Sequence, residues 1–190
     1  NWNRFNKNTG GTLVEKCCHF FDLMNLIVPS KPIKVYASGG QDVNHLDEKY
    51  DGKTPDIIDN SFVIIDYQDG QRAMLDLCMF AEAGKYEQEI VLTGDQGKLE
   101  THIPGNELLL TNRKNYSLKT IEVKDDPRVK EVGFHHGASY IEHLELIDCI
   151  KNKKKPLVDC QKGLDSIILG LAAQESIQTG NPVFLENFSN

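Results

Sequence analysis

The chain has 190 residues, 39% of them hydrophobic and 26% charged, and its formal net charge is −7. This length is enough for one domain with its own core, and the composition is ordinary for a globular protein. The acidic balance argues against nucleic-acid binding, which needs a basic face, and no apolar run reaches the roughly 20 residues that span a bilayer.

The five cysteines are odd in number, irregularly spaced and without a Cys-x-x-Cys pair. This pattern favours reduced thiols in a cytoplasmic protein over a disulfide framework. It also predicts no metal site of the cysteine-rich kind. The polar start, "NWNRFNKNTGG", does not read as a secretory signal peptide, which agrees with a cytoplasmic location.

The first predicted element is a helix from about Thr12 to Val28, which begins after a Gly-Gly pair and stops before Pro29. A short strand over residues 33–37 follows. Residues 41–60 are polar and have no periodicity, and a loop of this length inside a compact domain is usually functional or mobile.

The middle of the chain predicts antiparallel strands. Residues 61–68 and 71–80 are rich in strand-forming side chains, and Asp69-Gly70 between them predicts a two-residue hairpin turn. Two further strand pairs are predicted, at residues 87–93 with 98–103 and at residues 107–111 with 118–123.

Two helices close the chain. Ser139 and Glu142 have the spacing of a capping box, which predicts a helix from there to about Lys151. A second helix is predicted over residues 161–178, followed by a short strand at 183–185. The order of helix, strands and helices predicts an α+β fold with a largely antiparallel, open-faced sheet and helices packed on one face.

The first helix carries its charged groups on one line. At 100° per residue, Glu15, His19 and Asp22 fall within about 60° of arc, while apolar side chains cover most of the circumference. Both carboxylates are within reach of the imidazole, and a carboxylate beside a histidine fixes its tautomer. This arrangement suits a general acid/base; the alternative is a solvent-facing line of surface ion pairs.

The stretch "GGTLVEKCCHFFDLM", with Gly-Gly, an acid and His-x-x-Asp on a helix, resembles the Gfo/Idh/MocA family of NAD(P)-dependent oxidoreductases. The later stretches "VLTGDQGKLE", "GASYIEHLELIDCIKNKKKP" and "GLDSIILGLAAQESIQTGNPVFL" are similar to family elements in the same order. The resemblance covers nearly the whole chain. It implies a single substrate-binding and oligomerisation domain over residues 1–190, the C-terminal part of a longer protein whose N-terminal Rossmann domain is absent here.

The resemblance implies a dehydrogenase that oxidises or reduces a sugar, polyol or related hydroxy compound, with NAD or NADP bound mainly by the N-terminal domain. His19 matches the family histidine that exchanges the hydroxyl proton as general acid/base, and Asp22 matches the aspartate of the His-x-x-Asp step. Glu15 stands where the family usually has aspartate, so it keeps the charge and adds a methylene. By itself, the chain is expected to be inactive.

Four further residues are candidate substrate contacts. Lys16 lies at the edge of the charged line, where it reaches either a substrate or a carboxylate, or is a solvated lysine. Trp2 and Arg4 loosely match a loop that lines the family's pocket, and His135 precedes a helix start where a substrate can approach. For Trp2 and Arg4 the alternative is an ordinary loop position.

Family sheets also pack face to face between subunits, which implies a homodimer or homotetramer through the sheet face. In this chain Val63, Ile65 and Tyr67 alternate with Phe62 and Ile64, so the strand is apolar on both faces. A sheet of that kind needs a cover on both sides.

Two other functions stay open. A non-catalytic module of the same fold, which binds a sugar or a protein partner, is slightly favoured by Glu15 in place of aspartate. A metal-dependent hydrolase that uses Glu15, His19, Asp22 and His135 is compatible with the helical spacing, and metal analysis separates it from the other two.

Overall fold

The computed structural model describes residues 2–188. The helices are α1 (Asn6–Thr9), α2 (Thr12–Glu15), α3 (Cys18–Ile27), α4 (Ala138–Asn152) and α5 (Cys160–Thr179). The strands are β1 (Pro32–Gly40), β2 (Asn60–Tyr67), β3 (Arg72–Cys78), β4 (Gln88–Thr93), β5 (Gly97–Ile103), β6 (Glu107–Asn112), β7 (Ser117–Glu122) and β8 (Val183–Phe184). Short 3-10 turns cover Trp2–Arg4 and Leu185–Phe188. Within this described part, no helix combines the length and hydropathy that a bilayer crossing requires.

The α+β fold class is confirmed, and the strands form two antiparallel sheets of four. One sheet has the order β3-β2-β1-β8 and the other has the order β4-β5-β6-β7. The chain divides into two compact units: Ala83–Pro156 forms one, and the described residues before and after that range form the other. The single domain predicted over residues 1–190 stays a prediction.

The unit formed by the residues before Ala83 and after Pro156 buries one face of its β3-β2-β1-β8 sheet under helix α5. Alternation along β2 places Val63, Ile65 and Tyr67 inside and Phe62 and Ile64 outside, as the sequence predicts. Helix α3 packs in turn against α5. The core is completed by Leu13, Cys17, Phe21, Val35, Ala37, Leu75, Leu169, Ala172, Ala173, Val183 and Leu185.

The hairpin between β2 and β3 is confirmed, but its turn is longer than the predicted two residues. The amide of Gly70 donates to the carbonyl of Tyr67, and the amide of Tyr67 donates to the carbonyl of Gln71, so residues 68–70 make the connection. Only Gly70 needs a left-handed backbone, with φ of 90°. A three-residue connection with glycine at its last position matches the strand twist in this way.

The predicted helix from Thr12 to Val28 is wrong in one respect, because it is two helices. The carbonyl of Thr12 accepts the amides of both Lys16, at 2.9 Å, and Cys17, at 3.2 Å. The second of these bonds spans five residues, which widens the turn and ends the regular α-helical pattern. Helix α3 then starts afresh at Cys18.

The predicted capping box at the start of α4 is wrong. The helix begins at Ala138 with Gly137 as its N-cap, and no side chain donates to or accepts from the cap position. Ser139 therefore lies inside the first turn, where its hydroxyl cannot accept from an amide three residues further on. Its Oγ instead lies 2.9 Å from Nδ1 of His135.

Asp59 anchors the long loop between β1 and β2. Its buried carboxylate accepts the backbone amides of Asp42, Val43 and Asn44 at 3.0, 2.8 and 2.6 Å. Burial raises the pKa of Asp59, but these hydrogen bonds lower it by more, so the pKa lies below its usual value. The ionised carboxylate is thus the form that holds the loop.

We expect Asp59→Asn to lower the urea midpoint at neutral pH and to weaken its pH dependence. Because the folded-state pKa is depressed, the stabilisation is fully present above the unfolded pKa of about 4 and is lost as the pH falls through the folded value. Urea unfolding followed from neutral to acidic pH measures this difference.

Asp47→Asn is the matched control, since Asp47 is an exposed carboxylate in the same loop. Its unfolding profile should follow that of the wild type within about 0.5 kcal/mol. If Asp59→Asn and the wild type lose stability in parallel below pH 4, the anchor role of the carboxylate is wrong.

Candidate active site

The α2–α3 segment carries its polar candidates on the side away from the core. Leu13, Cys17 and Phe21 are fully buried and recur every four residues, so they form one inner line against helix α5. His19 is exposed, and Glu15 and Asp22 are half-buried. The apolar line thus fixes the segment to the core and leaves the charged side chains accessible.

Glu15 is paired with its neighbour in the chain. Nζ of Lys16 lies 3.1 Å from Oε1 of Glu15. In a continuous helix, adjacent side chains point about 100° apart and do not face each other. Here helix α2 ends at Glu15, between the two residues of the pair. Because both side chains are partly exposed, the pair contributes little stability, but it compensates the charge of Glu15 locally.

His19 stands at the start of α3, next to an aromatic neighbour. Its ring centroid is 4.3 Å from that of Phe20, with the planes tilted by 49°. Of the two thiols that precede His19 in the chain, Cys17 is buried and Cys18 is half-buried. Burial raises the pKa of Cys17 to about 12, helped by the nearby Cys18 and Glu15, so this thiol stays protonated.

Asp22 lines a cleft of about 540 Å³ between α3 and α5. Lys31, Lys162 and Asp165 supply its other charges, and neither Glu15 nor His19 is among its lining residues. The remaining lining residues are Asn25, Leu26, Ser30, Pro32, Leu157, Val158, Ile168, Leu169 and Leu185. The three residues of the predicted line therefore face different surroundings along one helix side.

Arg4 belongs to a polar network that sequence reasoning missed. Its Nε donates to Oε2 of Glu48 at 3.3 Å, and Glu48 also accepts from Tyr50 at 2.8 Å and contacts Nδ1 of His45 at 2.7 Å. These bonds, led by that of His45, hold the pKa of Glu48 below its usual value. The mixed charges of the long loop were the available signal. Trp2, two residues before Arg4, is exposed.

His135 lies in the other unit, in a cleft of about 480 Å³ beside the start of α4. His135 contacts the hydroxyl of Ser139. The same cleft also includes His143, whose Nδ1 donates to the carbonyl of Ser139 at 2.6 Å. Among residues 2–188, no three or more His, Cys, Asp or Glu side chains are grouped so that they can hold a metal ion.

The decisive comparison is with protein families. A family model described as "Oxidoreductase family, C-terminal alpha/beta domain" of the Gfo/Idh/MocA group matches residues 1–185. The chain belongs to this family. The Gfo/Idh/MocA C-terminal domain is thus an oxidoreductase domain, and the resemblance predicted from the His-x-x-Asp helix is confirmed.

Among curated relatives, this Gfo/Idh/MocA domain is 25% identical over 182 residues to a myo-inositol 2-dehydrogenase of Thermotoga maritima. The match covers 94% of this chain and 50% of the relative. The chain therefore spans about half the length of the curated relative that it matches.

Solved structures support the fold of this Gfo/Idh/MocA domain. An oxidoreductase domain protein from Kribbella flavida superposes with a TM-score of 0.80 at 16% identity, covering 97% of this chain and 54% of that chain. An oxidoreductase from Agrobacterium radiobacter, in complex with NAD+, L-tartaric acid and magnesium, has a TM-score of 0.71 at 14% identity, covering 96% and 54%.

Proposed function

We propose that this chain forms the substrate-binding half of an NAD(P)-dependent dehydrogenase, with His19 as the general acid/base. The observation that carries the proposal is the position of His19. It is exposed on a helix whose opposite side carries the fully buried Phe21, in a chain that belongs to an oxidoreductase family. An accessible imidazole on a fixed support is what proton exchange with a bound hydroxyl requires.

His19 takes the hydroxyl proton as the substrate alcohol becomes a carbonyl, and returns it in the reverse direction. Imidazole suits this step because its unperturbed pKa, about 6.5, lies close to physiological pH. Asp22, three residues further along α3, adds a negative charge on the same helix. Glu15 adds a second one at the end of α2. Lys16 compensates part of that charge through its contact with Glu15.

The described residues do not themselves fit a dinucleotide. Within residues 2–188 every strand pair is antiparallel, so these residues lack the parallel βαβ unit at whose helix N-terminus a pyrophosphate binds. NAD or NADP, when bound by the Rossmann domain that the family resemblance implies, supplies the hydride chemistry. No residue of this chain is assigned to hold it.

We propose a sugar, polyol or related hydroxy compound as the substrate. The name of the curated relative, a myo-inositol 2-dehydrogenase, supports a polyol. Lys16, Trp2 and Arg4 are the proposed substrate contacts, and His135, which lies in the other unit, stays a separate prediction. Lys16 and Trp2 are exposed, whereas Arg4 must share its guanidinium with Glu48.

The test uses the full-length protein. NADH and NADPH are titrated by nicotinamide fluorescence, and turnover is then measured with a panel of polyols and aldoses that includes myo-inositol. Cofactor binding with turnover of a hydroxy compound is the expected result. Failure to bind either cofactor contradicts the dehydrogenase proposal.

A non-catalytic module that binds a sugar or a protein partner is the second candidate. The observation that favours it is the pairing of Glu15 with Lys16, because it engages the acid that stands at the family's aspartate position. Sugar binding by calorimetry, without cofactor binding or turnover, would identify this second function.

We also propose a cytoplasmic homodimer or homotetramer that forms through the outer face of the β3-β2-β1-β8 sheet. The five thiols are free, which suits a reducing compartment. On this outer face Tyr36 pairs with Ile64, and Ile64 pairs with Met74, so three exposed apolar side chains stand side by side across the sheet. Phe62 and Phe184 extend this apolar patch.

Ile64→Lys is expected to dissociate the oligomer, because it places a charge at the centre of the apolar patch. Light scattering coupled to size-exclusion chromatography measures the mass of the wild type and the variant. Val43→Lys, an exposed apolar residue of the long loop, is the matched control and should leave the mass unchanged. An unaltered mass for Ile64→Lys contradicts assembly through this face.

A further inference from the structure

Helix α2 lies directly on the backbone of helix α5. Gly170 of α5 is buried, and a Cβ at this position would stand 2.6 Å from the carbonyl oxygen of Leu13 and 3.2 Å from Cα of Val14. Backbone atoms cannot yield at such distances, so even an alanine would force the two helices apart. The contact thus requires glycine at residue 170.

A second residue of α5 holds the segment that precedes α2. Nε2 of Gln174, one turn after Gly170, donates to the carbonyl of Gly10 at 2.6 Å. Thr12 adds a third point, since its hydroxyl donates to the carbonyl of Ile58 at 2.6 Å. We use the name α5 clamp for Gly170 and Gln174 together.

The α5 clamp acts just before the break between α2 and α3. Glu15 is the last residue of α2 and lies two positions after Leu13, the residue that touches Gly170. Helix α3, which carries His19, is fastened separately by the fully buried Phe21. In a continuous helix, the helical geometry alone would set the relative direction of the Glu15 and His19 side chains. Because the helix is broken here, the packing of α2 against α5 contributes to that direction.

We infer that Gly170 and Gln174 are positioning residues of the proposed active site, which hold Glu15 and Lys16 in a defined place relative to His19. The inference rests on the proposed function for its catalytic consequence. Gly170 does so by allowing the closest approach of the two helices, and Gln174 does so by its hydrogen bond to Gly10. Neither residue touches the substrate in this scheme.

The primary test compares Gly170→Ala with Gly163→Ala in the full-length protein. Gly163 lies in the same helix, and a Cβ there would meet nothing within 4 Å, so its replacement is the matched control. Histidine-selective NMR, assigned with a His19 variant, measures the pKa of His19. We expect a change of about 0.5 unit or more in Gly170→Ala and none in Gly163→Ala.

Kinetics supply the second readout. Gly170→Ala should lower kcat by about 100-fold with a smaller change in KM, because displacement by about 1 Å has effects of that size. The pH profile of kcat/KM should move together with the pKa of His19, which a purely structural loss would not cause. Equal His19 pKa values and kcat in Gly170→Ala and Gly163→Ala would overturn the inference.

Gln174→Met keeps the test decisive if Gly170→Ala does not fold. This change removes the donor and preserves the side-chain length, and Gln178→Met, one turn further along and exposed, is its control. Gln174→Met should move the pKa of His19 in the same direction as Gly170→Ala, and a value equal to that of Gln178→Met contradicts the clamp. Because this readout needs no turnover, an inactive wild type would count against the proposed function and not against the clamp.

Discussion

We expect replacement of His19 by alanine in the full-length protein to lower kcat by about two to four decades, the range that general acid–base catalysis contributes. The expected loss arises because His19 is the only histidine of α3, so no other imidazole of this helix can exchange the hydroxyl proton. Affinity for the nicotinamide cofactor should change little, since no cofactor contact is assigned to this helix. Steady-state turnover and fluorescence titration measure the two quantities separately.

Two controls sharpen this prediction. His102→Gln alters a histidine that stacks on Tyr86 at 4.2 Å, in the unit that does not contain His19, and should retain wild-type kcat. Added imidazole should restore part of the activity of His19→Ala, because the side chain it replaces is exposed. Unchanged turnover in His19→Ala would remove this residue from the mechanism.

We expect replacement of Phe21 by alanine to lower the free energy of unfolding by about 3–5 kcal/mol, the usual cost of such a truncation in a core. Phe21 is fully buried in the core cluster, so the change deletes a large apolar volume that the surrounding side chains cannot refill. Urea unfolding, followed by circular dichroism, measures the loss. Such a loss is a large fraction of the stability of an ordinary domain.

Phe134→Ala is the matched control for Phe21→Ala, because the side chain of Phe134 is 98% exposed. Its effect on unfolding should stay within about 0.5 kcal/mol. If Phe21→Ala unfolds with the midpoint of the wild type, α3 is not fastened to the core by this side chain. The separate attachment of α3 assumed for the α5 clamp would then fail as well.

The strands were predictable because their signal is local. The alternation of Val63 and Ile65 with Phe62 and Ile64 follows directly from the two-residue period of a strand. The last helix was predictable as a helix from apolar residues at helical spacing, but its buried face was not, because most of those residues are exposed. Its N-cap is a further feature found only in the structure. Asp159 caps it by accepting the amides of Gln161 and Lys162.

The turn and helix termini were less predictable, because several residues competed for each role. Ser139 and Glu142 have the capping-box spacing, yet the chain starts α4 at Ala138 after Gly137. Asp69-Gly70 permits a two-residue turn, yet the strand register places the connection at residues 68–70. In each case the neighbouring backbone selects one of several locally acceptable solutions.

For the candidate site, too, the sequence predicts some features and only the folded structure decides the others. Sequence periodicity alone predicts that Glu15, His19 and Asp22 avoid the inner line of Leu13 and Cys17, because helical spacing is a property of the local hydrogen bonds. It does not predict which partner each charged group meets. Lys16 beside Glu15, and Lys162 with Asp165 in the cleft of Asp22, are found only in the folded chain.

By itself, the sequence determined the family, the α+β class, the order of the elements and the faces that the first helix and strand β2 bury. Tertiary structure alone decided that the strands form two sheets, that Asp59 holds the long loop, and that the first helix breaks after Glu15. The physical reason is the distance along the chain over which each interaction acts. Periodicity records which side of an element is apolar, whereas the contact of Gly170 with Leu13 joins residues far apart in the chain and depends on how the whole core packs.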